Sequence, residues 1–273
     1  MSELLIRTIT GFIFGTVLLG SILLNVCIES FVFGLFVLLG LWEFHGLFKS
    51  HKDYATPRIL STVTGFVFFV LTALYLQDCI HLFFLKILLG FIFIVLVSQL
   101  FRKNNQPLIV LSLSIFPLLY FVLPFLLMLQ ISISQHSSFP LLIGMFIIIW
   151  TNDSMAYFIG KAYGKKPLFK RVSPNKSWEG TIAGFFFSFP AAYLIYLSTN
   201  SMDLTFWLVS ALLISPCAVL GDLLESLFKR SLNIKDTGNI LPGHGGILDR
   251  FDAVVFTVPF FYLWIEFYDL FIK

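Results

Sequence analysis

Charged residues are what this sequence has least of. Asp, Glu, Lys and Arg make up 12% of its 273 residues, against about 25% in a soluble domain. So few polar side chains cannot cover a water-soluble globule of this size, and lipid must be the solvent for most of the chain. The net charge is only +3, and the basic residues are scattered between apolar runs instead of forming one face. That excludes nucleic acid as a partner. Cysteine is scarce as well. Cys27, Cys79 and Cys217 stand singly, with no CxxC pair and no histidine at zinc-ligand spacing, so neither a disulfide framework nor a zinc site is expected. A small-x-small cleavage site is also missing after the first apolar stretch, which therefore reads as a retained helix, although Arg7 precedes it.

Apolar residues are abundant: 58% of the chain is hydrophobic, with 34 Phe. A spanning helix needs about 20 mainly apolar residues, and this criterion predicts nine, near 8–26, 30–48, 59–77, 80–101, 107–129, 139–159, 180–199, 204–224 and 253–271. The expected fold class is all-α: a polytopic transmembrane helical bundle forming one integral membrane domain. Amino-terminal spans occupy 1–137 and a catalytic half occupies 138–273. Cytoplasmic loops carry an excess of Lys and Arg. With nine spans, 16 of the 18 basic residues fall on one side, Lys273 alone falls opposite, and Lys86 lies inside span four. The amino terminus is thus expected inside and the carboxyl terminus outside. The two longest inside segments, about 160–179 and 225–252, hold most of the polar residues outside the helices.

The chemistry is concentrated in GDLLESLFKRSLNIKDTGNILPGHGGILDRFD, residues 221–252. On a helix, residues three or four apart share a face, so Asp222, Glu225, Ser226 and Lys229 form a polar stripe at the end of span eight. Intramembrane carboxylates are costly and by default functional, although Asp222 pairing with a neighbouring lysine would also explain it. Gly243, Gly245 and Gly246 around His244 let backbone N–H groups turn toward an anion, as in a phosphate-binding nest. Asp249 and Asp252, at i and i+3 beside it, supply hard oxygen ligands for Mg²⁺. His244 can serve as a general base or as a hydrogen-bond donor to phosphate, and both readings stay open. Glu43 and Trp42 in span two and Lys86 in span four belong to no motif and are assigned to no site; Glu43 reads as snorkelling or paired.

The whole stretch resembles the signature of phosphatidate cytidylyltransferases, carried by Ser226, Lys229, Arg230, Lys235, Asp236, Pro242, His244, Gly245, Gly246, Asp249, Arg250 and Asp252. Two further segments are similar to that family. TNDSMAYFIGKAYGKK places Asp153, Ala156, Tyr157 and Gly160 at matching positions, followed by Lys161 and Gly164. SPNKSWEG matches at Lys176 and Glu179 but has Asn175 where the family has Lys and Ser177 where Thr is expected.

The resemblance implies a Mg²⁺-dependent transfer of the cytidylyl group of CTP to phosphatidic acid, giving CDP-diacylglycerol and pyrophosphate for phospholipid biosynthesis. It implies Asp222, Asp249 and Asp153 as metal ligands, with a second cation left open. Asp222, Asp249, Asp252, His244 and Lys229 are the expected catalytic set. Lys176, Ser226, Arg230, Lys235, Asp236, Gly245, Gly246, Arg250, Glu179 and Tyr157 are the expected contacts to CTP. The expected partners are CTP, phosphatidic acid and the surrounding lipid, with a homodimer left open. The expected location is the inner membrane, with the site facing the cytoplasm. The runner-up is a cytidylyltransferase or kinase acting on an isoprenoid lipid. A transporter would place polar residues at midplane from matched inverted halves, whereas here they load on one side. The Asp-Gly-x-x-Ala-Arg pattern of CDP-alcohol phosphotransferases is absent.

Overall fold

The structure is a computed structural model describing residues 3–49, 54–102, 106–134, 139–199, 201–243 and 245–272. Ten α-helices follow in chain order: α1 (Glu3–Leu24), α2 (Val26–Leu47), α3 (Arg58–Leu76), α4 (Phe83–Ser98), α5 (Pro107–Pro117), α6 (Leu123–Ile133), α7 (Leu141–Tyr163), α8 (Trp178–Thr199), α9 (Leu204–Ser231) and α10 (Leu248–Phe271). A π-turn at Leu118–Val122, directly after Pro117, joins α5 and α6 into one span. The proline has no N–H for the ladder, and a local π adjustment absorbs the mismatch. Among the described residues the helices make nine segments long and apolar enough to cross a membrane, as the apolar runs predicted. Lys52, Lys103, His244 and Lys273 lie outside the described residues.

Several helix ends differ from their predicted bounds, α1 starting at Glu3 rather than near 8, and two of the differences bear on the charged segments. α9 runs to Ser231 rather than stopping near 224, and α10 starts at Leu248 rather than near 253. At 1.5 Å per residue, the 28 residues of α9 give about 42 Å, longer than a hydrocarbon core of about 30 Å. Its last turns, with Lys229 and Arg230, therefore belong to the headgroup layer. Asn233, at φ 57°, ends the helix: its N–H donates to the Arg230 carbonyl at 3.1 Å and that of Ile234 to the Lys229 carbonyl at 3.0 Å. Asparagine tolerates this left-handed conformation better than most residues. The only sheet among the described residues is a hairpin of β1 (Pro167–Phe169) and β2 (Ser173–Ser177), antiparallel with Pro167 opposite Ser177 and Phe169 opposite Ser173.

The chain forms two compact units. Unit 1 is Met1–Ile133 with Asp236–Arg250, so the glycine-rich segment belongs with the amino-terminal helices. Its core packs Phe33 edge-on to Phe125 at 5.4 Å and Phe121 against Phe125 at 5.0 Å. Unit 2 is Ser134–Lys235 with Phe251–Lys273. There Phe206 and Trp207 are fully buried, Phe206 stacks on Trp264 at 5.9 Å, and the Trp264 indole N–H donates to Ser210 Oγ at 3.1 Å. A buried hydrogen bond from Ser215 Oγ to Asn152 Oδ1 ties α9 to α7. Unpaired polar groups are costly away from water, so this pair fixes the register of the two helices that carry Asp222 and Asp153.

Candidate active site

In unit 2, the charged ends of α7, α9 and α10 and the hairpin gather one cluster. Lys176 on β2 forms an ion pair with Asp222 Oδ2 at 2.5 Å. Ser226, one turn on, donates to Asp222 Oδ1 at 3.2 Å, so both oxygens of Asp222 are engaged. Asp153 on α7 lies within electrostatic reach of both Lys176 and Asp222, and Asn152 Nδ2 donates to it at 3.2 Å. Asp252 on α10 lies near Asp222, Glu225 and Lys229. Close backbone packing makes this possible: a Cβ on Gly221 would stand 2.5 Å from the Asp252 carbonyl oxygen. Lys229 Nζ pairs with Glu225 at 3.2 Å.

The hairpin that delivers Lys176 is tied down by its own neighbours. Ser177 caps α8, its Oγ accepting from the Gly180 N–H at 3.2 Å, a role that serine and threonine share. Glu179 accepts from the Lys165 and Lys166 backbone N–H groups at 3.1 and 3.3 Å. In this structure the Glu179 carboxylate therefore closes the hairpin. Arg230 donates to the Ile234 carbonyl at 3.2 Å, just past its own helix, and to the Val172 carbonyl of the hairpin turn at 3.5 Å. Tyr157 is 61% exposed and carries the Lys161 ammonium 5.8 Å from its ring centre.

Four carboxyl groups, Asp153, Asp222, Glu225 and Asp252, thus meet two ammonium groups, Lys176 and Lys229. Such an excess of oxygen donors fits a hard divalent cation. Mg²⁺ characteristically takes one or two carboxylates and completes its shell with water and substrate phosphates. Among the described residues, no group of three or more His, Cys, Asp or Glu side chains is arranged to hold a metal ion by itself.

In unit 1, the segment 236–250 folds around Asp249. Its Oδ2 accepts three hydrogen bonds, from Thr237 N–H and Thr237 Oγ1, both at 2.9 Å, and from the Gly246 N–H at 2.8 Å. The turn between them closes through Leu241 N–H to the Gly245 carbonyl at 3.0 Å, with Gly245 at φ 80°, a conformation that favours glycine. The Gly246 amide, expected to face a bound anion, is engaged by the chain's own carboxylate. Thr10 Oγ1 lies 3.2 Å from the Pro242 carbonyl, and Glu43 Oε2 accepts from the Leu248 N–H at 3.2 Å. Lys235, Asp236 and Arg250 are exposed.

Of the expected residues, the structure brings together Asp153, Lys176, Asp222, Ser226, Lys229 and Asp252 in unit 2. It brings together Gly245, Gly246 and Asp249 in unit 1. Glu43 and Thr237 went unassigned. Glu43 did carry a signal, since a carboxyl inside an apolar span is by default functional.

These features define a multi-pass membrane protein that holds clustered carboxylates and lysines at the ends of its helices. A family model described as the cytidylyltransferase family matches residues 5–268. The chain belongs to that family. Among curated relatives, a phosphatidate cytidylyltransferase of Staphylococcus aureus is 32% identical over 256 residues, 93% of this chain and 96% of the relative. Those of Haemophilus influenzae and Bacillus subtilis are 44% and 45% identical over 126 and 117 residues, stretches that each span 44% of the relative.

Proposed function

We propose that this chain transfers the cytidylyl group of CTP to phosphatidic acid. A phosphate oxygen of the lipid attacks the α-phosphorus in line, the bond to the β-phosphate oxygen breaks, and pyrophosphate leaves. The observation that carries the reading is the unit 2 cluster in which Asp153 and Asp222 meet Lys176, and Asp252 meets Asp222 and Lys229. A lipid phosphate monoester is already ionised near neutral pH, so the reaction needs no strong general base. Positioning and charge stabilisation dominate.

Asp222 in unit 2 and Asp249 in unit 1 are each assigned to Mg²⁺, with Asp153 as a further ligand. Bound at either place, Mg²⁺ would supply neutralisation of the phosphates and polarisation of the reacting phosphorus. Within unit 2, the ion pair of Lys176 with Asp222 holds the ammonium ready and is exchanged for substrate phosphate when CTP arrives. Lys229, Arg230, Lys235 and Arg250 add positive charge along the same chain segments, and charge-assisted hydrogen bonds to phosphate are the strong ones.

The excess of Lys and Arg on alternate loops supports an inside amino terminus, a site on the cytoplasmic face and an inner-membrane location. One substrate is soluble and the other has its phosphate at headgroup level, which is where the charged end of α9 belongs. Membranes containing the chain, given CTP labelled at the α-phosphate and phosphatidic acid, should form lipid-soluble label only with Mg²⁺. Label entering lipid from the γ-phosphate instead would identify a kinase. Label accepted only by an isoprenoid phosphate would move the reading to that lipid class.

A further inference from the structure

We infer that Glu43, on α2, is a positioning residue that holds the glycine-rich segment 236–250 and thereby sets the carboxylate of Asp249. Glu43 is 5% exposed, and it sits 205 residues before the backbone group it binds. Its Oε2 accepts the N–H of Leu248, the residue adjoining Asp249 and the first of α10. That N–H has no partner within the helix, because the first turn of a helix leaves its amides unmatched. Glu43 therefore caps α10 from another helix.

The segment is shaped to receive this carboxyl. A Cβ on Gly246 would stand 2.5 Å from Glu43 Oε2, and one on Gly238 would stand 2.5 Å from Oε1. A side chain at either position would displace the Glu43 carboxylate, because contacts under 3.0 Å force one of the two groups to shift. Gly238 follows Thr237 directly and Gly246 is itself a donor, and it is Thr237 and Gly246 that hold Asp249 Oδ2. Glu43 thus touches the segment at both of its anchoring points. Removing the acceptor frees the start of α10 and loosens the three-donor clasp.

The inference rests on the assignment of Asp249 to Mg²⁺, and the test separates the two. Glu43→Ala and Glu43→Gln are made in the full chain and purified in detergent. Gln keeps the shape and one carbonyl acceptor for Leu248, whereas Ala keeps neither. Hydrogen exchange read by mass spectrometry should rise at least tenfold for peptides within 236–250 in Glu43→Ala and stay near the unsubstituted rate in Glu43→Gln. Peptides of α3 and α9 should be unchanged in both. In parallel, the Mg²⁺ concentration giving half-maximal transfer should rise about tenfold in Glu43→Ala and recover in Glu43→Gln.

Unchanged exchange over 236–250 in Glu43→Ala overturns the inference. So does faster exchange spread over α3 and α9, which marks a residue of general stability. A Gln variant as impaired as the Ala variant overturns it too, because the negative charge would then be what matters. Faster exchange with an unchanged Mg²⁺ requirement upholds the holding role and removes the metal from Asp249 instead.

Discussion

Lys176 on β2 and Asp222 on α9 form an ion pair, Nζ to Oδ2 at 2.5 Å. It joins the hairpin to the end of the longest helix. Both side chains are partly exposed, at 26% and 33%, so the pair is open to exchange by a charged ligand, as exposed pairs contribute little to stability.

Replacing Lys176 should consequently affect substrate binding more than folding. Hydrogen bonds to charged groups contribute about 1.5–3 kcal/mol, so Lys176→Ala should raise the KM for CTP about 10- to 100-fold while the amount of protein in the membrane is unchanged. Lys176→Arg should recover part of the loss. Steady-state transfer at varied CTP, alongside quantification of membrane-inserted protein, decides it; an unchanged KM would leave the pair a surface contact.

Asp222 accepts both the Lys176 ammonium and the Ser226 hydroxyl. Asp222→Asn preserves its size but removes the charge. Loss of a catalytic metal interaction removes several kcal/mol, so kcat should fall about 100-fold or more, and raising Mg²⁺ should not restore it. Near-normal turnover with the usual Mg²⁺ requirement would take the metal away from Asp222.

Asp249 poses the same question in a different setting, because one of its oxygens accepts three hydrogen bonds. An Asn carbonyl can accept the same donors, so Asp249→Asn should keep segment 236–250 in place. If the charge serves Mg²⁺, activity should still fall by orders of magnitude. If the side chain serves only as a cap, Asn replaces Asp well and turnover should persist. Asp249→Ala should lose both, with added protease sensitivity in the segment.

Lys229 and Arg230 separate in the structure. Lys229 pairs with the Glu225 carboxylate, while Arg230 donates to two backbone carbonyls, those of Ile234 and Val172. Lys229→Ala should weaken CTP binding about tenfold, the size of one charged contact. Arg230→Ala should change CTP affinity less than Lys229→Ala and instead lower the melting temperature of the purified protein. A double variant with unchanged CTP affinity would leave both as membrane anchors under the positive-inside rule.

Topology is tested by tags at position 1 and after 273, which should report opposite sides of the membrane. Finding both on one side would remove a span or the inside assignment of segments 160–179 and 225–252.

Helix number and most helix positions were legible in the sequence because hydrocarbon imposes a single local rule. About 20 apolar residues must satisfy their own backbone hydrogen bonds, and that rule reads directly along a chain. The same holds for residues clustered in one segment, such as the Asp222 and Ser226 pair, whose i, i+4 spacing on α9 already dictates contact. The extension of α9 to Ser231 was less legible, because apolarity ends where the charged turns begin, while the helix continues until the left-handed turn at Asn233 stops it.

What the sequence determined by itself is therefore the membrane-spanning character, the spans and the local motifs, since each depends on neighbours within a few turns. Tertiary structure alone decided which distant groups complete them. Lys176 reaches Asp222 across 46 residues, as their numbers show, and Glu43 reaches Leu248 across 205. No periodicity encodes such pairs. A buried carboxyl must find whichever donor the packing brings to it, and here packing brings Glu43 the unmatched first amide of α10.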